Sequence, residues 1–315
     1  MFFYMRGLII NDVANVVSYQ ANLIGILNLI NIVLFGMFYF ALHNIKLDRD
    51  LIYKTFGFIA VFQSVYIILQ HFQLDQFFHN ISYLSNTNPV RMCWPVGLWG
   101  NEALVSWCIA LCAPYLLAYK QLRFKVGYGL CGIAILLTKC SAGIAGFILG
   151  YIFWLFFNKK RYSRLLAVTL IIVILSVGGL GYTSGKLAEY FNPTHRFQVW
   201  KKTIELGKQH GITGWGIGSY RQLFFRQAPE FQDDGHWAQA HNDYVQLFYE
   251  QGIIGVGIIV SLLWIAFLQF WRKRKGLIPM TSLVALSIIA FFGFPLHTAM
   301  GVLVIVSLVL YERDI

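Results

Sequence analysis

The stretch AHNDYVQLFYEQGIIGV, residues 240–256, joins a polar segment to a strongly apolar run. It places a histidine, an amide and an acid (His241, Asn242 and Asp243) directly before the apolar sequence. Neither a core helix nor a simple membrane anchor needs these three groups at its start. Polar residues at membrane depth are costly and are usually kept for function or for helix pairing. The stretch therefore predicts a functional site where an external segment re-enters a membrane.

Composition indicates a polytopic membrane protein. The 315 residues are 57% hydrophobic and only 12% charged, and the mean hydropathy is +0.60, which lies outside the usual range of soluble domains. The net charge of +11 does not indicate a nucleic-acid partner, because the basic residues form short clusters between apolar runs. The five cysteines form no Cys-x-x-Cys pair, and we expect them to be small buried side chains. The N-terminus has no pattern of a cleavable signal peptide.

Nine membrane crossings are predicted from apolar segments of about 20 residues, the length that spans a bilayer. Five candidates are single spans: 21–42, 52–71, 101–119, 165–182 and 252–271. Two longer stretches are each predicted to be a pair of shorter spans, 126–157 broken at Lys139-Cys140-Ser141 and 277–311 broken at Phe294 to His297.

The distribution of basic clusters supports this count. The clusters are Lys46/Arg49/Lys54, Lys120/Arg123/Lys125, Lys159/Lys160/Arg161/Arg164 and Arg272 to Lys275. With nine crossings all of them lie on one side, as expected for cytoplasmic loops. The predicted fold is therefore an all-α polytopic integral membrane protein with an external N-terminus and an internal C-terminus. Its parts are an N-terminal transmembrane bundle (1–182), an extracytoplasmic segment (183–250) and C-terminal transmembrane helices (251–315).

The extracytoplasmic segment has three predicted parts. Residues 195–211, HRFQVWKKTIELGKQHG, have helical spacing, with Phe197, Trp200, Ile204 and Gly207 on one stripe. GITGWGIGSYRQLF (211–224) indicates a glycine-rich turn followed by a short helix, and the stretch after it a loop. A metal site at Asp233, Asp234, His236 and His241 is not expected, because their spacing matches no known ligand pattern.

Four segments resemble the O-antigen ligase/polymerase family in their order and spacing. They are GLWGNEALVSWCIALCAPYLL (97–117), LLTKCSAGIAGFILG (136–150), 196–220, and HNDYVQLFYEQGIIGVGI (241–258). The most specific pieces are Arg-x3-Trp, the Gly-x-Gly after it, and His-Asn-x-Tyr followed by Glu-x-Gly-x-x-Gly. The resemblance extends from about residue 90 to the C-terminus.

The resemblance implies a bacterial membrane glycosyltransferase of the GT-C type, without a metal or other cofactor. Such an enzyme moves a glycan from undecaprenyl pyrophosphate to an acceptor hydroxyl, on a glycan or on lipid A-core, at the outer face of the inner membrane. Family members usually have further N-terminal spans. The chain is therefore expected to be a short member, a truncated reading frame or an inactive fragment, and residues 1–20 to be the remnant of a missing span.

The resemblance also implies roles for residues of the site. Arg196 matches the family's arginine and is expected to hold the pyrophosphate, since a guanidinium keeps its charge and binds two oxygens at once. His241 is the expected base for the acceptor hydroxyl, because histidine titrates near neutral pH. Asn242 and Tyr244 are expected to orient this histidine or a sugar.

Other residues have two interpretations each. Arg221 and Arg226 either complete the anion site or lie on a solvated helix face, and Gly214, Gly216 and Gly218 either offer amides to a ligand or form a structural turn. Where the family often has Ser-Arg, this chain has Ser141-Ala142, so Lys139 is a candidate replacement for the missing charge. Otherwise the donor site is weaker than usual or uses Arg91, Arg221 or Arg226. Trp200 is expected to pack, and Glu250 to serve as a cap or an interface group because it lies about 13 Å along a helix from His241.

A transporter or lipid flippase is the alternative from another class. It predicts a polar path across the membrane, whereas the polar groups here converge on one face. Within the family, motifs common to polymerases, ligases and protein glycosylation enzymes do not separate these activities. The short external segment slightly favours a polymerase.

Overall fold

The computed structural model describes residues 48–75, 95–158, 193–231, 237–273 and 276–297, with scattered positions between 33 and 44. All regular elements in these residues are helical. The helices are α1 (Arg49–His71), α2 (Glu102–Cys112), α3 (Leu122–Thr138), α4 (Ser141–Phe157), α5 (Pro193–Gly207), α6 (Tyr220–Gln227), α7 (Asp243–Lys273) and α8 (Leu277–Phe292). Short 3₁₀ turns lie at Gly97–Trp99, Ala113–Ala118, Lys208–His210, Pro229–Phe231 and Pro295–His297.

Two described helices are long and apolar enough to cross a membrane, α1 and α7, and the helical segments Glu102–Ala118, Ser141–Phe157 and Leu277–Phe292 are shorter and apolar. Both predicted breaks are confirmed. Helix α3 ends at Thr138 and α4 begins at Ser141, with Lys139 in the left-handed conformation between them (φ 56°). Helix α8 ends at Phe292, before Pro295. Some predictions lie outside the described residues: most of span 21–42, span 165–182, residues 298–311, Arg91, Cys93, the cluster 159–164, and Asp233, Asp234 and His236.

Side-chain caps explain where helices begin. The carboxylate of Asp48 accepts the amides of Asp50 (2.9 Å) and Leu51 (3.3 Å) at the start of α1. The amide oxygen of Asn101 accepts those of Ala103 (2.8 Å) and Leu104 (3.1 Å) at the start of α2. These bonds satisfy backbone donors that have no partner within the helix.

Glycines bring three helices into close contact in the bundle. A Cβ at Gly146 of α4 would lie 2.6 Å from Cγ1 of Ile289 in α8. A Cβ at Gly143 would overlap Ser106 of α2. Close backbone approach through small residues is a common means of helix association in membranes. Cys108, Cys112 and Cys131 are buried in the same core, as expected.

The contacts define two ends of the bundle. At one end, the first residues of α1 and α8 share a cavity lined by Arg49, Tyr119 and Leu277. At the other end, Gln70 of α1 accepts the amides of Val96 (3.1 Å) and Gly97 (2.8 Å) ahead of α2. We call these the basic end and the site end.

Further contacts at the site end join α7 and α8. The amide of Leu296, just after α8, donates to Asp243 at the start of α7 (2.9 Å). Helix α4 runs antiparallel to α8, because Gly146 approaches Ile289 whereas Gly150, one turn later, approaches Thr281. Helix α4 therefore also begins at the site end.

The predicted stripe on α5 is wrong for Phe197, which is 59% exposed, and for Ile204, which is 37% exposed. The buried face instead contains Val199, Trp200, Thr203, Leu206 and Gly207. Both sets have spacings of three and four residues, so periodicity alone does not distinguish them. Packing against α7 and the aromatic cluster of Tyr220, Phe224 and Tyr249 selects the second set.

Candidate active site

His241 lies immediately before α7 in a left-handed backbone conformation (φ 53°) that non-glycine residues rarely adopt. Its half-buried ring makes edge-to-face contacts with Trp237 (centroids 5.7 Å apart) and Phe294 (5.1 Å). Trp237 belongs to the segment before α7, and Phe294 follows α8. The histidine is thus placed at the junction of the external segment and the bundle.

The residues after His241 fix the start of α7. The side-chain oxygen of Asn242 accepts the amides of Tyr244 (3.0 Å) and Val245 (3.1 Å), as a helix cap does. The hydroxyl of Tyr244 donates to the carbonyl of Ser287 in α8 (3.1 Å). With the bond of Asp243 to the Leu296 amide, these contacts hold the start of α7 against the end of α8. Asn242 and Asp243 are each 1% exposed, and their observed contacts are with the chain itself.

Arg196 reaches the same end of α8 from α5. Its Nη1 donates to the carbonyl of Phe292 (3.3 Å), two residues before the ring that contacts His241. One helical turn further along α5, the indole of Trp200 donates to the carbonyl of Ala240 (2.8 Å) and contacts the ring of Phe291 (5.7 Å). Trp200 is 8% exposed, so the prediction that it packs is confirmed.

The glycine-rich turn is inserted into a break in α7. Gly252 has φ 63° and ψ −161°, which interrupts the helix. The carbonyls of Tyr249 and Glu250 accept the amides of Trp215 (2.9 Å) and Gly216 (2.8 Å). The amides of Ile253 and Ile254 donate to the carbonyls of Gly211 (2.9 Å) and Ile212 (3.4 Å). Two hydrogen bonds within the helix are lost at the break, and four hydrogen bonds to the turn replace them.

Glu250 fixes the second half of that turn. Its carboxylate, on a residue only 3% exposed, accepts the amides of Gly218 (2.9 Å) and Tyr220 (3.3 Å) at the start of α6. Of the two roles expected for Glu250, a cap or an interface group, these bonds support the cap. The amides of Gly214, Gly216 and Gly218 all have acceptors within the chain, which supports the structural interpretation of this turn. Burial raises the pKa of the nearby Tyr220 hydroxyl, which therefore stays neutral beside Thr203.

The remaining predicted residues lie on other elements. Lys139 and Ser141 lie at the break between α3 and α4, at the site end. Arg221 and Arg226 are exposed on α6. Among the described residues, no group of three or more histidine, cysteine or acidic side chains could hold a metal ion.

Several residues around the site were not identified from the sequence. Trp237 and Phe294 contact the histidine ring, and Gln246 accepts the amide of Ala240 (3.0 Å). The spacing of four residues between Gln246 and Glu250 is a sequence signal for their hydrogen bond (3.1 Å). No comparable signal links Phe294 to His241, because they meet only through packing of α7 and α8.

In the described residues, an all-helical bundle with two candidate spans and a polar site at one end fits a membrane protein. Residues 126–260 match the O-antigen ligase family, a segment that includes Arg196, the glycine turn and His241. This match confirms the resemblance to the O-antigen ligase/polymerase family and indicates an O-antigen ligase-type glycosyltransferase. The family implies a lipid-linked glycan, a polysaccharide acceptor and a role in polysaccharide biosynthesis. No curated protein matches the chain.

Proposed function

We propose that the protein transfers a glycan from undecaprenyl pyrophosphate to an acceptor hydroxyl at the external face of a bacterial inner membrane. One observation carries this proposal: Arg196 and His241, which are far apart in the sequence, both contact the last residues of α8 and those just after it. A permanent cation and a group able to accept a proton near pH 7 are the two functions that this transfer requires.

Arg196 is the proposed binding group for the pyrophosphate. The leaving group carries its negative charge on oxygens that a guanidinium binds in pairs. Charge developing on the bridging oxygen during bond cleavage is stabilised by a cation already held in place. Lys139 and Ser141, at the same end of the bundle, are proposed to complete the donor site, with Arg221 or Arg226 as alternatives.

His241 is the proposed general base. Its imidazole accepts the proton of the acceptor hydroxyl as that oxygen forms a bond to the anomeric carbon of the donor. The bond from the anomeric carbon to the phosphate oxygen breaks, and undecaprenyl pyrophosphate leaves with the electron pair. Asn242 and Tyr244 orient the histidine or a sugar in this proposal. The acceptor is a second glycan in a polymerase and lipid A-core in a ligase.

Complementation in a host that lacks its own surface-glycan polymerase or ligase tests the proposal. Wild type, His241→Ala and Arg196→Ala are compared on a glycan gel at matched membrane levels. Loss of the base is expected to lower the rate by about 100-fold or more, and loss of the arginine by a similar factor. His210→Ala and Arg123→Ala are matched controls, since both residues are exposed and their ring contacts, with Trp215 and Phe124, do not involve the last residues of α8. Both controls are expected to restore glycan.

The outcome also separates the alternatives. A ladder of products indicates a polymerase, and a single capped product indicates a ligase. Full activity in His241→Ala contradicts the proposed base. Failure of wild type to restore glycan favours the transporter, which supplies no transfer chemistry. Membrane crossing by all nine predicted segments is part of the proposal, and cysteine labelling of each loop from outside the cell tests it.

A further inference from the structure

We propose that Gln246 is a positioning residue, which holds His241 in its strained backbone conformation through Ala240. This inference rests on the proposed role of His241 as the base. Residues with positive φ persist only where their surroundings hold them, and such strain is common at functional sites. The groups that hold residue 241 in this conformation therefore contribute to the function proposed for the histidine.

Both backbone polar groups of Ala240 are hydrogen-bonded to side chains. Its amide donates to the side-chain oxygen of Gln246 (3.0 Å), and its carbonyl accepts the indole N–H of Trp200 (2.8 Å). Ala240 is fully buried, and Gln246 is only 2% exposed. On the other side, Asn242 and Asp243 are bonded to α7 and to the residues after α8. The left-handed residue thus lies between two anchored neighbours.

Glu250 determines how the side chain of Gln246 is oriented. The amide nitrogen of Gln246 donates to a carboxylate oxygen of Glu250 (3.1 Å), so its amide oxygen is presented to Ala240. The same carboxylate accepts the amides of Gly218 and Tyr220. A continuous chain of hydrogen bonds therefore runs from the glycine turn through Glu250 and Gln246 to the residue before His241.

This arrangement predicts a specific consequence for Gln246→Met. Methionine has a similar size and shape but cannot accept the amide of Ala240 or donate to Glu250. The segment before α7 then loses one of its two anchors at Ala240, and the imidazole moves relative to Arg196. Displacement of a catalytic group by about 1 Å lowers rates by about 100-fold. Because Arg196 belongs to a different helix, donor binding is expected to be retained.

The test compares purified wild type, Gln246→Met and Gln63→Met in lipid nanodiscs. Gln63, which lies on α1 and away from α7, is a matched control. It is also buried, but its side-chain oxygen accepts the amide of Leu98. The substrate is the undecaprenyl-pyrophosphate-linked glycan extracted from the complemented host. We expect Gln246→Met to lower kcat at least about tenfold with KM changed less than about twofold. We expect Gln63→Met to leave both values close to wild type.

A second measurement does not depend on activity. Diethyl pyrocarbonate modifies exposed imidazoles, and peptide mass mapping gives the rate at His241. This rate is expected to change in Gln246→Met and to stay at the wild-type value in Gln63→Met. An unchanged modification rate together with an unchanged kcat overturns the positioning role. A changed modification rate with an active His241→Ala variant retains the positioning role and rejects the base, so the two proposals fail separately.

Discussion

Replacing Gly252 by alanine tests the insertion of the glycine turn into α7 most directly. Gly252 combines φ 63° with ψ −161°, a region of backbone conformation that is essentially restricted to glycine. A Cβ at this position would also overlap the carbonyl of Ile212 and the amide of Thr213. The substitution therefore forces either α7 or the turn to move.

The cost is the sum of two contributions. Placing a side chain in this conformation costs about 1–3 kcal/mol. If the turn is displaced, the four hydrogen bonds that it makes with α7 are lost, at about 1 kcal/mol each. The free energy of unfolding of the site end is therefore expected to fall by about 5–7 kcal/mol. Such a loss corresponds to a decrease in Tm of about 10 °C.

The assay is thermal unfolding of the detergent-solubilised protein, followed by the loss of its monodisperse peak in size-exclusion chromatography. Gly257→Ala is the matched control in the same helix, because a Cβ there has no atom within 4 Å. Alanine in place of glycine in a regular helix is stabilising by up to about 1 kcal/mol, so this control should equal or exceed wild type. Equal Tm values for Gly252→Ala and Gly257→Ala would refute the reasoning.

Three further predictions concern other parts of the structure. Gly146→Leu is expected to lower the Tm and the yield of folded protein, because the larger side chain overpacks against Ile289 at a cost of about 1–3 kcal/mol. Gly129→Leu on the open face of α3 is the control, and equal yields of the two variants would contradict the packing. Asn242→Ala should cost about 1 kcal/mol of stability through loss of the cap, whereas Asn242→Asp should retain it; urea unfolding measures the difference, and an equal loss in both would reject the cap. Lys139→Gly should remove the strain of the positive φ and raise stability by up to about 1 kcal/mol. It should nevertheless lower glycan synthesis in the complementation assay, whereas Lys139→Arg should preserve it. Undiminished glycan with Lys139→Gly would exclude the lysine from the donor site.

The elements that the sequence predicted well are those with strong local signals. The helix break at Lys139 to Ser141 follows from a polar residue pair inside an apolar run. The glycine-rich turn and the helix after it were predicted from local composition, since glycine adopts positive φ at no steric cost, as Gly214, Gly216 and Gly218 do. The distance of Glu250 along the helix from His241 left a cap or an interface as its expected roles, and the structure shows the carboxylate accepting the Gly218 amide.

The elements that were missed depend on which surfaces meet. The buried face of α5 was assigned to Phe197 and Ile204, although Val199 and Leu206 are buried. An amphipathic helix offers more than one apolar stripe, and only its neighbours decide which stripe is covered. The helical segment from Asp243 to the break at Gly252 is a further element that the sequence did not predict, whereas the break itself lies where the predicted span 252–271 begins.

By itself, the sequence predicted a helical membrane protein whose polar, chemically useful residues gather at one face. It did so because hydropathy, charge distribution and motif spacing are local properties. Only the tertiary structure decided that Arg196 and His241 meet at the end of α8, and that the histidine is held by contacts of Ala240, Asn242 and Asp243. The physical reason is that these contacts join groups on separate helices and turns. Their geometry is set by close packing across the bundle, which no single segment encodes.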